Sequence, residues 1–135
     1  MLSRAAAVSF GVADLLTGAA VGLGVFVALP ARWWPVDLPA IVLTVLELSA
    51  GVALLARATW AERLARVASV VALSLGLFTV TVLAVTASWL SGVYGPVGRG
   101  GAVVLALVAL LAVPYVVVLP VVQLVWLRPR VRTPA

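Results

Sequence analysis

Four long apolar segments, separated by short links that contain most of the polar residues, make up nearly the whole chain. Each segment is apolar on all sides and reaches the 18–20 residues or so that a helix needs to cross a bilayer. Barrel strands are shorter and alternate in polarity, and lipid leaves all backbone hydrogen bonds to be made within the segment. We therefore predict four transmembrane helices, at about 6–29, 38–56, 64–90 and 100–127.

The links are short, so consecutive helices should pack antiparallel beside one another. The predicted fold is all-α, a single transmembrane domain (1–135) built as an integral membrane four-helix antiparallel bundle. The first segment follows a cationic start like a signal peptide. It is too long for one, however, and contains Asp14, so we expect it to be a retained helix.

The arginines give the predicted bundle an orientation. Nine arginines and no lysine are present, and cytoplasmic links carry the excess of basic residues. Two arginines lie in the links predicted on one side (Arg32 and Arg99), and seven lie on the other (Arg4, Arg57, Arg63, Arg66, Arg128, Arg130 and Arg132). We expect a multi-pass protein of the inner (plasma) membrane with both termini in the cytoplasm. The aromatic residues near the segment ends are typical of an interfacial belt.

The amino-acid composition limits the kinds of functional site that the chain can form. The chain is 65% hydrophobic and 10% charged, with a mean hydropathy of +1.29, which indicates lipid as its main solvent. The Ala-, Val-, Leu- and Arg-rich composition suggests a bacterial source. The absence of Cys and His excludes disulfides, Cys/His metal sites and Ser-His-Asp or Cys-His triads. We expect no cofactor, no catalytic residue and no metal site. Nucleic-acid binding is not expected either, because the arginines flank apolar runs.

Two acids lie inside the apolar segments. Asp14 follows Arg4 by ten residues, and Glu47 precedes Arg57 by ten residues. At a rise of about 1.5 Å per residue, both lie about 15 Å from the cytoplasmic side, on neighbouring helices. No arginine lies at that depth, and a lone carboxylate in hydrocarbon is costly and tends to take up a proton.

Small and polar residues surround both acids at helical spacing. Thr17 and Gly18 lie on the Asp14 face of the first helix, and Thr44 and Gly51 lie on the Glu47 face of the second. Three interpretations remain open for this intramembrane acidic site. It binds a proton or cation for transport, its acids are protonated and structural, or an Arg or Lys of another subunit pairs with them.

Helices 3 and 4 contribute weaker candidates. The hydroxyl residues of helix 3 fall on several faces, and we interpret them as packing groups. Pro114 and Pro120 predict kinks in helix 4, where Tyr115 and Gln123 are the polar groups expected to reach an interior cavity. Arg99, in a Gly-rich turn before helix 4, could contact an anion or a lipid headgroup, although an ordinary tight turn fits better.

The general plan is similar to that of the small multidrug-resistance transporters: a short chain, four helices and an acid near position 14. That family has Glu where this chain has Asp14, and its aromatic-rich helix 3 signature is absent here. Helices 3 and 4 are also longer here than in that family. The similarity is therefore one of plan and does not assign a family.

Three functions follow as hypotheses. The first is a non-enzymatic subunit or assembly partner of a membrane complex, working as a homo- or hetero-oligomer within the lipid bilayer. The second is a proton- or cation-coupled small transporter that uses Asp14 and Glu47 and works as a homodimer. The third is a membrane-embedded lipid or isoprenoid enzyme with the two acids as an acid/base pair.

Overall fold

The computed structural model describes residues 2–127, and the regular secondary structure in that range is entirely helical. Four stretches are long and apolar enough to cross a membrane, as the sequence predicts. Two of them contain a π-helical turn, a wider turn that closes hydrogen bonds over five residues. In chain order the elements are α1 (Arg4–Leu23), a π-helical turn (Gly24–Ala28), α2 (Trp34–Leu55), α3 (Ala61–Val93), α4 (Gly95–Val113), a π-helical turn (Pro114–Val118) and α5 (Leu119–Trp126).

All four spans begin before the positions predicted from apolarity, and α3 also ends after its predicted bound. The largest difference lies in the expected Gly-rich turn at 91–99, where α3 continues to Val93 and α4 begins at Gly95. Gly95 has φ +56°, a left-handed conformation that glycine adopts without steric cost. Pro96 then occupies the first turn of α4, where its missing N–H would have no intrahelical partner. One residue, Tyr94, is enough to separate the two helices.

The link between α2 and α3 begins with a Schellman motif. Arg57 has φ 54°, and its N–H donates to the Leu54 carbonyl over 3.1 Å. The Ala58 N–H donates to the Ala53 carbonyl over 3.0 Å. These two bonds satisfy carbonyls that the end of a helix leaves without partners.

The chain forms two compact units. The first unit comprises residues 2–71 and 122–127 and contains α1, α2, the start of α3 and the end of the fourth span. Alanine dominates its buried core, which lets the helices approach closely. The core residues are Ala50, Ala53, Leu54, Ala61, Ala65, Ala68 and Leu127.

Glycines set the contact between α1 and α2 in the first unit. A Cβ added to Gly51 would lie 2.7 Å from the Gly11 carbonyl oxygen, closer than real Cβ atoms come. Gly18 lies against Glu47 and Leu48, and Gly22 lies against Thr44. Backbones that approach this closely tolerate only the smallest residues.

The second unit, Ala72–Val121, combines the rest of α3 with α4 and the π-helical turn after it. Gly76 packs directly against Val116, and Gly98 packs against Leu90. Many of its large apolar side chains are exposed, among them Phe78, Leu110 and Leu111. Such exposure is expected where lipid is the solvent. The predicted basic tail, with Arg128, Arg130 and Arg132, lies outside the described residues.

Candidate functional site

A buried polar cluster lies inside the first unit, and Asp14 of α1 is its centre. The Asp14 side chain is 1% exposed. Its Oδ1 accepts a hydrogen bond from Nε2 of Gln123, which belongs to α5 and is 2% exposed. The bond joins residues 109 positions apart in the chain. The cluster therefore joins the first and fourth apolar spans.

Ser69 extends the cluster to α3. Its hydroxyl is fully buried and lies 2.7 Å from the Gln123 Oε1 and 2.7 Å from the Ala65 carbonyl oxygen of its own helix. Hydroxyl-to-carbonyl bonds of this kind are common in membrane helices. Three side chains from three helices thus form a continuous hydrogen-bonded chain from Asp14 to the backbone of α3.

Glu47 is the second acid of the site and lies on α2, 3% exposed. Its Cβ lies 3.1 Å from the position of a Cβ on Gly18, which places it one helical turn along α1 from Asp14. The two carboxyl groups are close enough to interact electrostatically. The equal depth expected from arginine spacing thus becomes an offset of about one turn, or about 5 Å.

Two threonines lie beside the acids. Thr17 is buried on α1, three residues after Asp14. Thr44, three residues before Glu47 on α2, has a buried Oγ1 without a hydrogen-bond partner in residues 2–127. The same holds for Oδ2 of Asp14. Buried polar atoms are nearly always hydrogen-bonded, so two such atoms beside two acids point to a site with unused bonding capacity.

The electrostatics of the cluster are unbalanced. Within residues 2–127, no arginine contacts either Asp14 or Glu47. Two neighbouring carboxylates in a medium of low dielectric constant repel each other and lose their hydration. A bound proton or a bound cation would remove the free-energy cost of this repulsion and lost hydration. In the described residues, no group of three His, Cys, Asp or Glu side chains could hold a metal ion.

Two other predicted residues lie elsewhere. Tyr115, expected to reach an interior cavity, is 62% exposed and belongs to the second unit. It lies in the π-helical turn that begins at Pro114, where the Leu119 N–H donates to the Pro114 carbonyl. Arg99 is exposed within α4, not in a turn, because the helix begins four residues earlier.

Ser69 is the residue of the cluster that the sequence did not single out. By sequence alone the hydroxyl residues of α3 are equivalent, yet Thr81, Thr86 and Ser88 donate only to carbonyls of their own helix. A usable signal existed, because Ser69 lies among alanines at helical spacing: Ala61, Ala65, Ala68 and Ala72. A single hydroxyl on a small-residue face is well placed to contact a neighbouring helix.

The end of the first span is irregular and held by one arginine. Arg32 donates to the carbonyls of Val25 and Phe26 in the π-helical turn, and its guanidinium lies 5.2 Å from the centre of the Phe26 ring. These bonds satisfy carbonyls that would otherwise lack partners where the helix ends. Turns of this kind are frequent at functional sites.

No protein-family model, curated protein or solved structure matches this chain.

Proposed function

We propose that the chain is an integral membrane protein of the plasma membrane, an antiparallel four-helix bundle with both termini in the cytoplasm. The four apolar helices support the crossings, and the excess of arginine at the ends and in the link after α2 supports the orientation.

Single cysteines test this topology, because the chain has none of its own. Thr59→Cys, in the exposed link after α2, should react in intact cells only with a membrane-permeable maleimide. Gly92→Cys, near the end of α3, should react with an impermeant one. The reverse pattern would contradict the orientation, and labelling of both by the impermeant reagent would contradict the crossings.

We further propose that the Asp14–Glu47 cluster binds a proton or a small monovalent cation and couples its movement to that of a solute. The observation that supports this best is the buried Asp14 carboxyl, which has a neighbouring acid and one oxygen without a partner in the described residues. Intramembrane acids without a basic partner are typical of ion and proton pathways. The irregular turns in the first and fourth spans fit helices that change shape during transport.

Ion-step currents test this proposal directly. Proteoliposomes adsorbed on a solid-supported membrane are exposed to a step in pH, and separately to a step in Na⁺ at constant pH. A transient current larger than that of protein-free liposomes reports ion binding, and the effective step identifies the ion. Coupling is then measured as solute-dependent acidification of the vesicle interior, which a trapped pH-sensitive dye reports. No current above the protein-free level in either step would overturn the proposal.

A second candidate function is that of a subunit in a membrane assembly. One observation favours it: the two longest spans, of 33 and 32 residues, have the smallest buried shares of the four. They leave wide apolar faces for lipid or for other helices. Native mass spectrometry from nanodiscs prepared in the natural host should then show a complex with other chains. Recovery as a lone monomer would remove this candidate.

A further inference from the structure

Gln123 is the only side-chain amide in the chain, since the sequence has a single Gln and no Asn. It is buried between two partners of opposite character. Its NH₂ group faces the Asp14 carboxyl, and its oxygen faces the Ser69 hydroxyl. An amide is a donor at one end and an acceptor at the other, and the two ends have nearly the same shape. A half-turn therefore exchanges donor and acceptor without changing the space that the side chain fills.

Ser69 has two possible acceptors for its one hydroxyl hydrogen. The Ala65 carbonyl and the Gln123 Oε1 both lie 2.7 Å from its Oγ. With the amide oriented as the structure has it, Ser69 donates to Gln123, and Gln123 donates to Asp14. This direction suits an ionised Asp14, because a carboxylate can only accept hydrogen bonds.

A proton on Asp14 reverses these requirements. The carboxyl O–H then needs an acceptor, and the buried Asp14 side chain has Gln123 as its hydrogen-bond partner in residues 2–127. After a half-turn of the amide, Asp14 donates to the Gln123 oxygen, and the Gln123 NH₂ donates to the Ser69 oxygen. Ser69 donates in turn to the Ala65 carbonyl, which already lies at bonding distance. Both bonds of Gln123 are again satisfied, each in the opposite direction, and the Ser69 hydroxyl hydrogen moves from Gln123 to the Ala65 carbonyl.

We propose that Asp14, Gln123 and Ser69 form a reversible hydrogen-bond relay, in which uptake of one proton by Asp14 turns the Gln123 amide and reverses both of its hydrogen bonds. The relay rests on the proposed proton binding by Asp14, and Gln123 acts as a positioning residue. The only species gained is the proton on the carboxyl. Its effect extends from α1 to α5 and to the backbone of α3.

Asp14 is the group expected to turn the Gln123 amide, and the charged groups on the neighbouring elements are the alternatives. From α2, Glu47 is the buried acid on which the charge of Asp14 acts. From α3, Arg66 lies one turn before Ser69, and its guanidinium donates to the Leu127 carbonyl. α5 contains no charged residue. α3 also contains Glu62, seven residues before Ser69, and its Oε1 accepts a hydrogen bond from the Leu2 N–H over 2.7 Å. Glu47 is therefore the rival source of a pH response that lies inside the cluster.

NMR spectroscopy of the full chain in nanodiscs can observe the relay, because ¹⁵N-glutamine labelling gives a single pair of side-chain amide signals. ¹³Cγ-aspartate labelling gives two carboxyl signals, from Asp14 and Asp37. We expect the Gln123 signals to move between two limits as pH changes, with the same midpoint as the Asp14 carboxyl signal. Asp14→Asn should make the Gln123 signals independent of pH. Asp37→Asn, outside the cluster, should leave the response unchanged.

The outcomes separate the relay from the proposed function. If Asp14 titrates while the Gln123 signals stay fixed, the relay is wrong and the proton site stands. If the response survives Asp14→Asn and disappears in Glu47→Met, which adds no second glutamine, Glu47 controls the amide and the relay is wrong as well. If Gln123 follows Asp14 but ion steps displace no charge, the relay is supported and the transport proposal fails. If Asp14 does not titrate while the protein stays folded, the proposed proton binding by Asp14 is wrong, and the relay that rests on it is wrong as well.

Discussion

Replacement of Asp14 by Asn is expected to reduce the charge displaced by an ion step to the level of protein-free liposomes. Asn keeps the size of Asp14 and can still bond to Gln123, so the packing of the first unit is preserved. It cannot bind a proton in the relevant pH range or provide a negative charge to a cation. Glu47→Gln, the matched change at the second acid, should have the same effect if both carboxyls hold the ion.

Asp37→Asn is the control for these variants. Asp37 lies in the first turn of α2, ten residues and nearly three helical turns before Glu47. We expect this variant to keep the wild-type current. Loss of current in only one of the two cluster variants would identify the carboxyl that binds the ion. Wild-type currents in both would show that the cluster is structural.

Gln123→Leu is expected to lower the free energy of unfolding by about 1–3 kcal/mol, the cost of leaving buried polar groups without partners. It removes the hydrogen-bond partner of Asp14 Oδ1 and one of the two acceptors of the Ser69 hydroxyl. The loss can be measured by steric trapping in bicelles. Asp14→Leu combined with Gln123→Leu should recover part of it, because removing both partners of a buried pair costs less than removing one.

Ser88→Ala provides the comparison for this measurement. Its hydroxyl is exposed and donates only to the Ala84 carbonyl of its own helix, over 3.0 Å. We expect the free energy of unfolding to change by no more than about 0.5 kcal/mol, as is usual for surface substitutions. An equally small effect of Gln123→Leu would mean that the bond to Asp14 contributes nothing to the stability of the fold.

The four spans were predictable because apolarity over twenty residues is a local property of the chain. Their ends were not, because they depend on features that apolarity does not report. Ser3 accepts a hydrogen bond from the Ala6 N–H at the start of α1. A left-handed glycine, Gly95, lets α4 begin almost immediately after α3. Such details extend the helices well into segments that composition suggests are links.

The candidate site was partly readable from the sequence. Asp14, Glu47 and Gln123 stand out as polar groups inside apolar runs. Which of them meet is decided by the packing of different helices, and helical spacing within one segment does not contain that information. Ser69 was missed for the same reason, since the alanines around it indicate a packed face of α3 but do not identify Gln123 as its partner.

The sequence separation of 109 residues between Asp14 and Gln123 has a consequence for biosynthesis. Proteins are synthesised from the N-terminus, so in the proposed four-span topology Asp14 enters the bilayer long before the ribosome reaches its partner. During that interval the acid has to be kept neutral by a proton or sheltered by the insertion machinery. Insertion of the last span supplies the Gln123 partner. A truncated chain that stops before Gln123 would keep Asp14 without this hydrogen bond, and we expect the cell to degrade it.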